Sequence, residues 1–227
     1  MLNFEEQTAE AWNAYGVHHT ARGTDVPDVD RFAWGYWPAG PAEEILGDLE
    51  GRRVLDIGSG VGKYPAHLAR LGFEVDAVEA SLAQHERAVA RYGQLPGLRL
   101  IHSDAVAHLT EAEPYDVIYS VRAMPYIDPR RLLPALVPAL KPGGRLVFSS
   151  LLTNSSGNPP STWVTARPEI LPVAGGEPLF VHMWVLTPQH WTALLIDHGL
   201  GVDQIDVLTD PDGESPLSCT LTQARRR

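Results

Sequence analysis

Val54–Tyr64 reads VLDIGSGVGKY: an apolar run, an aspartate near its end, then glycine at every second position. The run is short and β-branched and is closed by Gly58, so it reads as a buried strand running into a turn. Gly58, Gly60 and Gly62 allow a tight turn and let backbone N–H groups approach a ligand with no Cβ in the way. The dinucleotide fingerprint spaces its glycines G-x-G-x-x-G and presents a helix N-terminus to a pyrophosphate. Here position 63 is lysine, and the third glycine comes one residue early. Asp56 points the same way, because a carboxylate at the strand end repels a pyrophosphate and suits a ligand whose nearby part carries an ammonium group.

Outward from this stretch, short β-like runs alternate with amphipathic segments, the signature of βαβ units and a mostly parallel sheet. GKYPAHLARLG is a helix, with Pro65 in its first turn and Gly72 placed to end it. EVDAVEA is a second strand, LAQHERAVARYG a second helix, LRLIHSD a third strand and YDVIYSV a fourth. Asp128 caps a helix that opens on Pro129 and meets Pro134 and Pro138, which predicts a break before the KPGG turn and the strand RLVFSS. Leu151 to Phe180 has no clear period and reads as a long irregular loop. TPQHWTALLIDHGL returns to a helix capped by Thr187, and VDQIDVL and LSCTLTQA form a closing hairpin. At the other end, 3–17 reads as a helix followed by a loop-like stretch containing RFAWGYWP, whose aromatics either plug the core or line a pocket.

Three acids stand at three successive strand ends: Asp56, Glu79 and Asp104. They lie along one crevice, because ligands of open α/β sheets bind beyond the carboxyl ends of the strands. Glu79 comes nineteen residues after Gly60, where carboxylates grip ribose hydroxyls in nucleotide folds. From about Ile45 to Ser150, VLDIGSGVG, AVEAS, SDA, YDVIYSV and LKPGGRLVFSS appear in order. This set resembles the class I methyltransferases that use S-adenosylmethionine, most closely the compact bacterial enzymes acting on small metabolites. The resemblance implies a Rossmann-like, doubly wound, seven-stranded, mostly parallel α/β sheet with a C-terminal antiparallel hairpin strand. It implies that Asp56, Gly58, Ser59, Gly60 and Gly62 cradle the methionine part, and that Glu79, with Ala80 and Ser81, holds the ribose. Asp104 and Ala105 would meet the adenine, and Ser120 and Val121 would receive the ammonium through backbone groups.

Methyl transfer from a sulfonium needs an acceptor held in line at roughly 3 to 3.5 Å and kept from water. A hydroxyl or protonated amine acceptor also needs a proton taken from it. His18, His19, His182 and Tyr126 are the available groups, and His182 is the favoured catalytic base. Relatives often carry a histidine just after strand four, where this chain has Pro125 in AMPYI. The expected acceptor wall is Trp12, Tyr15, His18, Tyr126, Trp163 and Trp184, joined by Trp34, Tyr36 and Trp37 from the same covering regions; aromatic walls suit a hydrophobic or aromatic acceptor. NPPS at 158–161 follows strand five and lacks the aromatic of the Asn-Pro-Pro-aromatic motif, so it is read as loop composition. Asp128 is read as a helix cap and not as a metal ligand.

The 227 residues give one domain, 1–227: a helical and aromatic cap (1–44), a cofactor core (45–150), a substrate-side loop (151–186) and a C-terminal helix and hairpin (187–227). Cys219 is the single cysteine, which excludes an internal disulfide and a cysteine zinc cage. The net charge of -10 opposes nucleic-acid binding. No apolar stretch suggests a membrane span, and the acidic N-terminus lacks signal-peptide character, so a cytoplasmic location is expected. The leading expectation is a metal-independent methyltransferase acting on O or N of a small molecule such as a secondary metabolite. The alternatives are a nicotinamide-dependent oxidoreductase, which the glycine spacing disfavours, and a protein that binds S-adenosylmethionine without methylating.

Overall fold

The computed structural model describes residues 3–25 and 28–227; Met1, Leu2, Val26 and Pro27, four residues of the expected 1–44 cap, lie outside the described residues. The N-terminal reading that began on Met1 and Leu2 therefore lies partly outside them.

A seven-stranded sheet in the order β3-β2-β1-β4-β5-β9-β8 forms the centre. Its parallel part comprises β1 (Val54–Ile57), β2 (Val75–Glu79), β3 (Leu98–His102), β4 (Tyr115–Val121) and β5 (Leu140–Thr153). The closing hairpin expected from the sequence is β8 (Leu200–Thr209) and β9 (Ser218–Arg226), and β9 adds antiparallel to β5. Chain order reverses between β1 and β4, which places a switch-point crevice beyond their carboxyl ends. β1 is buried at all four residues, as a strand covered on both faces must be.

One face packs through Leu55, Ile118 and Phe148 against α4 (Ala105–Glu111), α5 (Pro129–Leu136) and α6 (Pro188–Asp197), whose Trp191 meets Phe148 edge-on. The other buries Phe32, Trp34, Tyr64, Tyr119 and Leu221, with α2 (Lys63–Arg70) on this side. Burial at this scale stabilises by about 1.5–3 kcal/mol per large apolar side chain. α3 (Leu82–Tyr92) starts on the Ser81 cap, whose hydroxyl accepts the Gln84 N–H.

Three expectations need correction. α1 runs from Phe4 to Ala21, past Val17, because Gly16 lets it pack tightly: a Cβ there would sit 2.8 Å from that of Ala83 on α3. The KPGG segment lies within β5 and appears as a register shift, pairing passing from Tyr115↔Leu140 to Val117↔Arg145. Leu151–Phe180 is not wholly irregular, since β6 (Arg167–Leu171) pairs antiparallel with β7 (Leu179–Met183). Pro168 masks β6 in the sequence and is tolerated there because the ribbon has only two strands, so a residue without an N–H costs little. Among the described residues no helix is long and apolar enough to cross a membrane.

Candidate active site

Gly58, Gly60 and Gly62 all take positive φ, at 71°, 57° and 78°. The turn they make hangs from β2, because the N–H groups of Gly58 and Ser59 donate to the Val78 carbonyl at 2.9 and 3.0 Å. At Gly58 a Cβ would lie 2.2 Å from that of Ala123, so the turn after β1 abuts the turn after β4. At Gly60 a Cβ would meet nothing within 4 Å; it would project into a cavity of about 1320 Å³ that this residue lines. That volume exceeds the roughly 300–1,000 Å³ of an ordinary single-ligand pocket.

Glu79 ends β2 and accepts N–H bonds from Gly60 at 2.8 Å and Ser81 at 2.7 Å. Burial nonetheless pushes its pKa up, and the backbone donors oppose that shift only in part. Asp56 is almost fully buried, and its pKa is raised well above the usual carboxylate range by burial, with the Glu79 charge adding to the rise. The site therefore holds two acids whose ionised forms burial disfavours in the ligand-free protein. Ser59 lines the same space, and its Oγ is buried with no hydrogen-bond partner. A glycine cradle, an orphaned hydroxyl and a carboxylate beside backbone donors fit a nucleoside cofactor with an ammonium-bearing tail.

The structure places the other expected cofactor residues unevenly. Ala80, Ser81, Asp104, Ala105 and Val121 line the cavity. Asp104 also caps α4 through the Ala107 N–H and meets Arg131 at 3.1 Å. Gly62 and Ser120 stand behind the wall. Gly62 is the cap of α2. Ser120 Oγ donates to the Ile57 carbonyl at 2.8 Å and accepts the Met124 N–H, tying the end of β1 to the turn after β4.

Of the expected acceptor residues, Trp12, Tyr15 and Tyr126 line the cavity, with Trp12 edge-on to both tyrosines. Tyr36 joins them, whereas Trp34 is fully buried in the core, so RFAWGYWP does both things its aromatics suggested. His18, Trp163, Trp184 and His182 do not line it, which corrects four expectations. His18 turns its Nε2 to the Ala174 carbonyl, and Trp163 is 78% exposed. Trp184 is buried in the core on the α5–α6 face. His182 stacks on Phe4 at 4.4 Å. The alternation of side chains along β7 explains this, since the neighbouring Val181 and Met183 take the cavity-facing positions.

Sequence reasoning did not single out Arg122 as a site residue. It directly follows β4 and is the one non-glycine residue with positive φ, 64°, among those described. Its signal was available: an arginine interrupting an otherwise apolar strand end at the switch point. His19, weighed as a base alongside His182, lines the cavity with both ring nitrogens buried and unpartnered. Burial lowers its pKa, with Arg87 next in effect, so the ring is neutral at pH 7. No cluster of metal-ligating side chains occurs among the described residues.

A family model described as a methyltransferase domain matches residues 34–205, more than half of the chain. The chain belongs to that family. This methyltransferase domain is 30% identical over 224 residues to a ubiquinone biosynthesis O-methyltransferase of Dinoroseobacter shibae, covering 93% of this chain and 86% of that one. With the enzyme of the same name from Caulobacter it shares 35% identity over 107 residues, 45% of this chain. There the alignment spans only 42% of the relative, less than half its length. Among solved structures, the 1,6-didemethyltoxoflavin-N1-methyltransferase of Burkholderia thailandensis superposes with a TM-score of 0.62 at 17% identity, covering 100% of this chain and 92% of that one. A glycopeptide N-methyltransferase solved with S-adenosylhomocysteine superposes with a TM-score of 0.58 at 18% identity, covering 81% of this chain and 86% of that one.

Proposed function

We propose that this methyltransferase transfers a methyl group to an O or N atom of a small molecule. The observation that carries the proposal is one continuous cavity shared by the glycine turn, Glu79 and an aromatic wall of Trp12, Tyr36 and Tyr126. Its volume leaves room for a second molecule beside the cofactor. The O-methyltransferase relatives and the N-methyltransferase neighbour support the acceptor atoms named.

S-adenosylmethionine supplies a methyl group already activated on a sulfonium, so the chain's own work is to bind, orient and exclude water. In this reading Glu79 takes the ribose hydroxyls, Asp56 and the backbone of Ser120 and Val121 at the end of β4 take the ammonium, and Asp104 and Ala105 border the adenine. The aromatic wall holds a flat acceptor against the methyl and closes it from solvent. α1 forms the cover, fastened at one end to the β6–β7 ribbon, where the His182 N–H donates to Thr8 Oγ1 at 2.9 Å. His19 receives the acceptor's proton, since its neutral, unpartnered ring has a free acceptor nitrogen. Tyr126 does not serve as a base, because burial raises its pKa and keeps it protonated.

The test is an acceptor screen with S-adenosylmethionine, reading S-adenosylhomocysteine release and the mass of the acceptor. A product one methyl group heavier, formed in step with S-adenosylhomocysteine, supports the proposal. Tight cofactor binding with no methylated product across phenols, carboxylic acids and heteroaromatic amines overturns it in favour of a non-methylating binding protein.

A further inference from the structure

Arg122 lines the cavity as a cation outside any ion pair, its side chain meeting the neutral hydroxyl of Tyr64. None of the ion pairs among the described residues includes it or Lys63. Its Nε is buried and makes no hydrogen bond, and its guanidinium lies 4.9 Å over the ring of Tyr36. The acid closest in role, Glu169, is already held by Arg167 at 2.7 Å and by Asn154 at 2.9 Å. Lys63 presses a second positive charge on the same space, and its pKa is lowered by burial and by Arg122. The backbone of Arg122 is also held at a φ that a long side chain rarely adopts. Such strain persists only where the surroundings over-determine it, and it clusters at ligand clamps.

We propose that Arg122 recognises a carboxylate on the acceptor, so that the substrates of this protein are planar aromatic acids. The inference rests on the methyl-transfer reading above and narrows its acceptor to one chemical class. A guanidinium stacked on a tyrosine presents its fork in a fixed plane, which suits bidentate pairing with a carboxylate. The flat remainder of the acceptor lies against Tyr36, Trp12 and Tyr126.

The cofactor also carries a carboxylate, and position separates the two. Lys63 opens α2 directly after the glycine turn and so stands on the cofactor's side. Arg122 follows β4 and packs its guanidinium over Tyr36 of the aromatic wall, and its field reaches Tyr126 and Cys219 as well as Lys63 and Tyr64 of α2. Cys219 lies on β9 opposite Leu151 of β5, on the side of β4 away from β2 and Glu79.

The experiment is calorimetric titration in two stages. S-adenosylhomocysteine is titrated first; the loaded protein is then titrated with matched acids and amides, benzoate against benzamide and 4-hydroxybenzoate against 4-hydroxybenzamide. Wild type is expected to prefer an acid over its amide by about tenfold or more, the scale of a charge-assisted pair. Arg122→Gln is expected to abolish the preference while S-adenosylhomocysteine affinity stays within about threefold. Arg122→Lys keeps the charge but loses the fork, and is expected to retain only part of the preference. The proposal is overturned if wild type binds no acid or binds acid and amide equally. It is overturned too if the Lys variant keeps the full preference, or if Arg122→Gln loses cofactor affinity while the preference remains. An Arg122-dependent acid preference without methylated product would leave the subsite standing and remove the reaction, so the two failures are distinguishable.

Discussion

Removing the Glu79 carboxylate is the most direct perturbation of the cofactor site. In the protein this group receives two backbone N–H bonds, from Gly60 at 2.8 Å and Ser81 at 2.7 Å, and both donors belong to turns that line the cavity. Glu79→Ala frees both turns and deletes the acceptor proposed for the ribose. A hydrogen bond to a charged group contributes about 1.5–3 kcal/mol. Losing a single one to the ligand weakens binding by about tenfold to a hundredfold, since about 1.4 kcal/mol is a factor of ten. Glu79→Gln keeps the shape but turns an amide N–H₂ toward one of the two donors, so a loss of about tenfold is expected there. Stability moves differently from binding. Burial raises the Glu79 pKa, so the ionised carboxylate is disfavoured in the folded, ligand-free protein. Neutral glutamine removes that penalty but leaves one backbone donor unpaired, so the two effects oppose each other and the melting temperature of the free protein is expected to move less than its ligand affinity. The assay is calorimetric titration with S-adenosylhomocysteine, a parallel titration with NADH expected to give no heat of binding, and thermal unfolding of each variant. If both variants remain folded and bind S-adenosylhomocysteine within about threefold of wild type, the assignment of Glu79 to the cofactor is refuted.

Four further outcomes follow from the same geometry. Gly58→Ala forces a Cβ to 2.2 Å from Ala123 at positive φ, so it is expected to lower both stability and cofactor affinity; Gly60→Ala meets no protein atom, so it is expected to weaken cofactor binding by about tenfold with a stability cost of only about 1–2 kcal/mol, checked by titration and denaturant unfolding. Asp56, with a raised folded pKa, holds its proton longer than the unfolded chain does, so stability falls as pH rises from the ordinary carboxylate range through the raised value. Asp56→Asn is therefore expected to gain on wild type in unfolding free energy across that window, and parallel profiles would contradict it. Thr8→Val leaves the part-buried His182 N–H without its acceptor and is expected to cost about 0.5–1.5 kcal/mol, a melting-temperature fall of roughly 1–6 °C. His182→Ala is expected to keep turnover within about threefold, while His19→Ala slows it by about a hundredfold or more; the reverse order in a methyl-transfer assay would restore His182 as the base.

The cofactor half of the site was legible because it is written locally. Asp56 and Glu79 sit at the ends of β1 and β2 and Asp104 two residues beyond β3, and the apolar strand runs and the turns after them are short-range signals. Once parallel pairing brings β1, β2 and β3 side by side, their ends share one edge with no further choice to make. The ribbon of β6 and β7 escaped the same reading because Pro168 and the glycines between its strands obscure a pattern only five residues long on each side.

The acceptor half is another matter. His18 and His19 are adjacent in sequence, yet one ring turns to Ala174 and the other into the cavity, which is settled by how α1 lies on α3 through Gly16 and Ala83. Trp184 and Tyr36 are both aromatic residues in covering segments, but the core takes the first and the cavity the second. Composition marked these regions as aromatic without saying which side chains face inward. The sequence by itself determined the strands of the parallel sheet and the acids along its crevice, because strand pattern and turn chemistry act between neighbours. Only the tertiary structure decided which histidine and which aromatics meet the acceptor, and that Arg122 stands there unpaired, because those contacts join residues far apart in the chain and depend on the angles at which its helices pack.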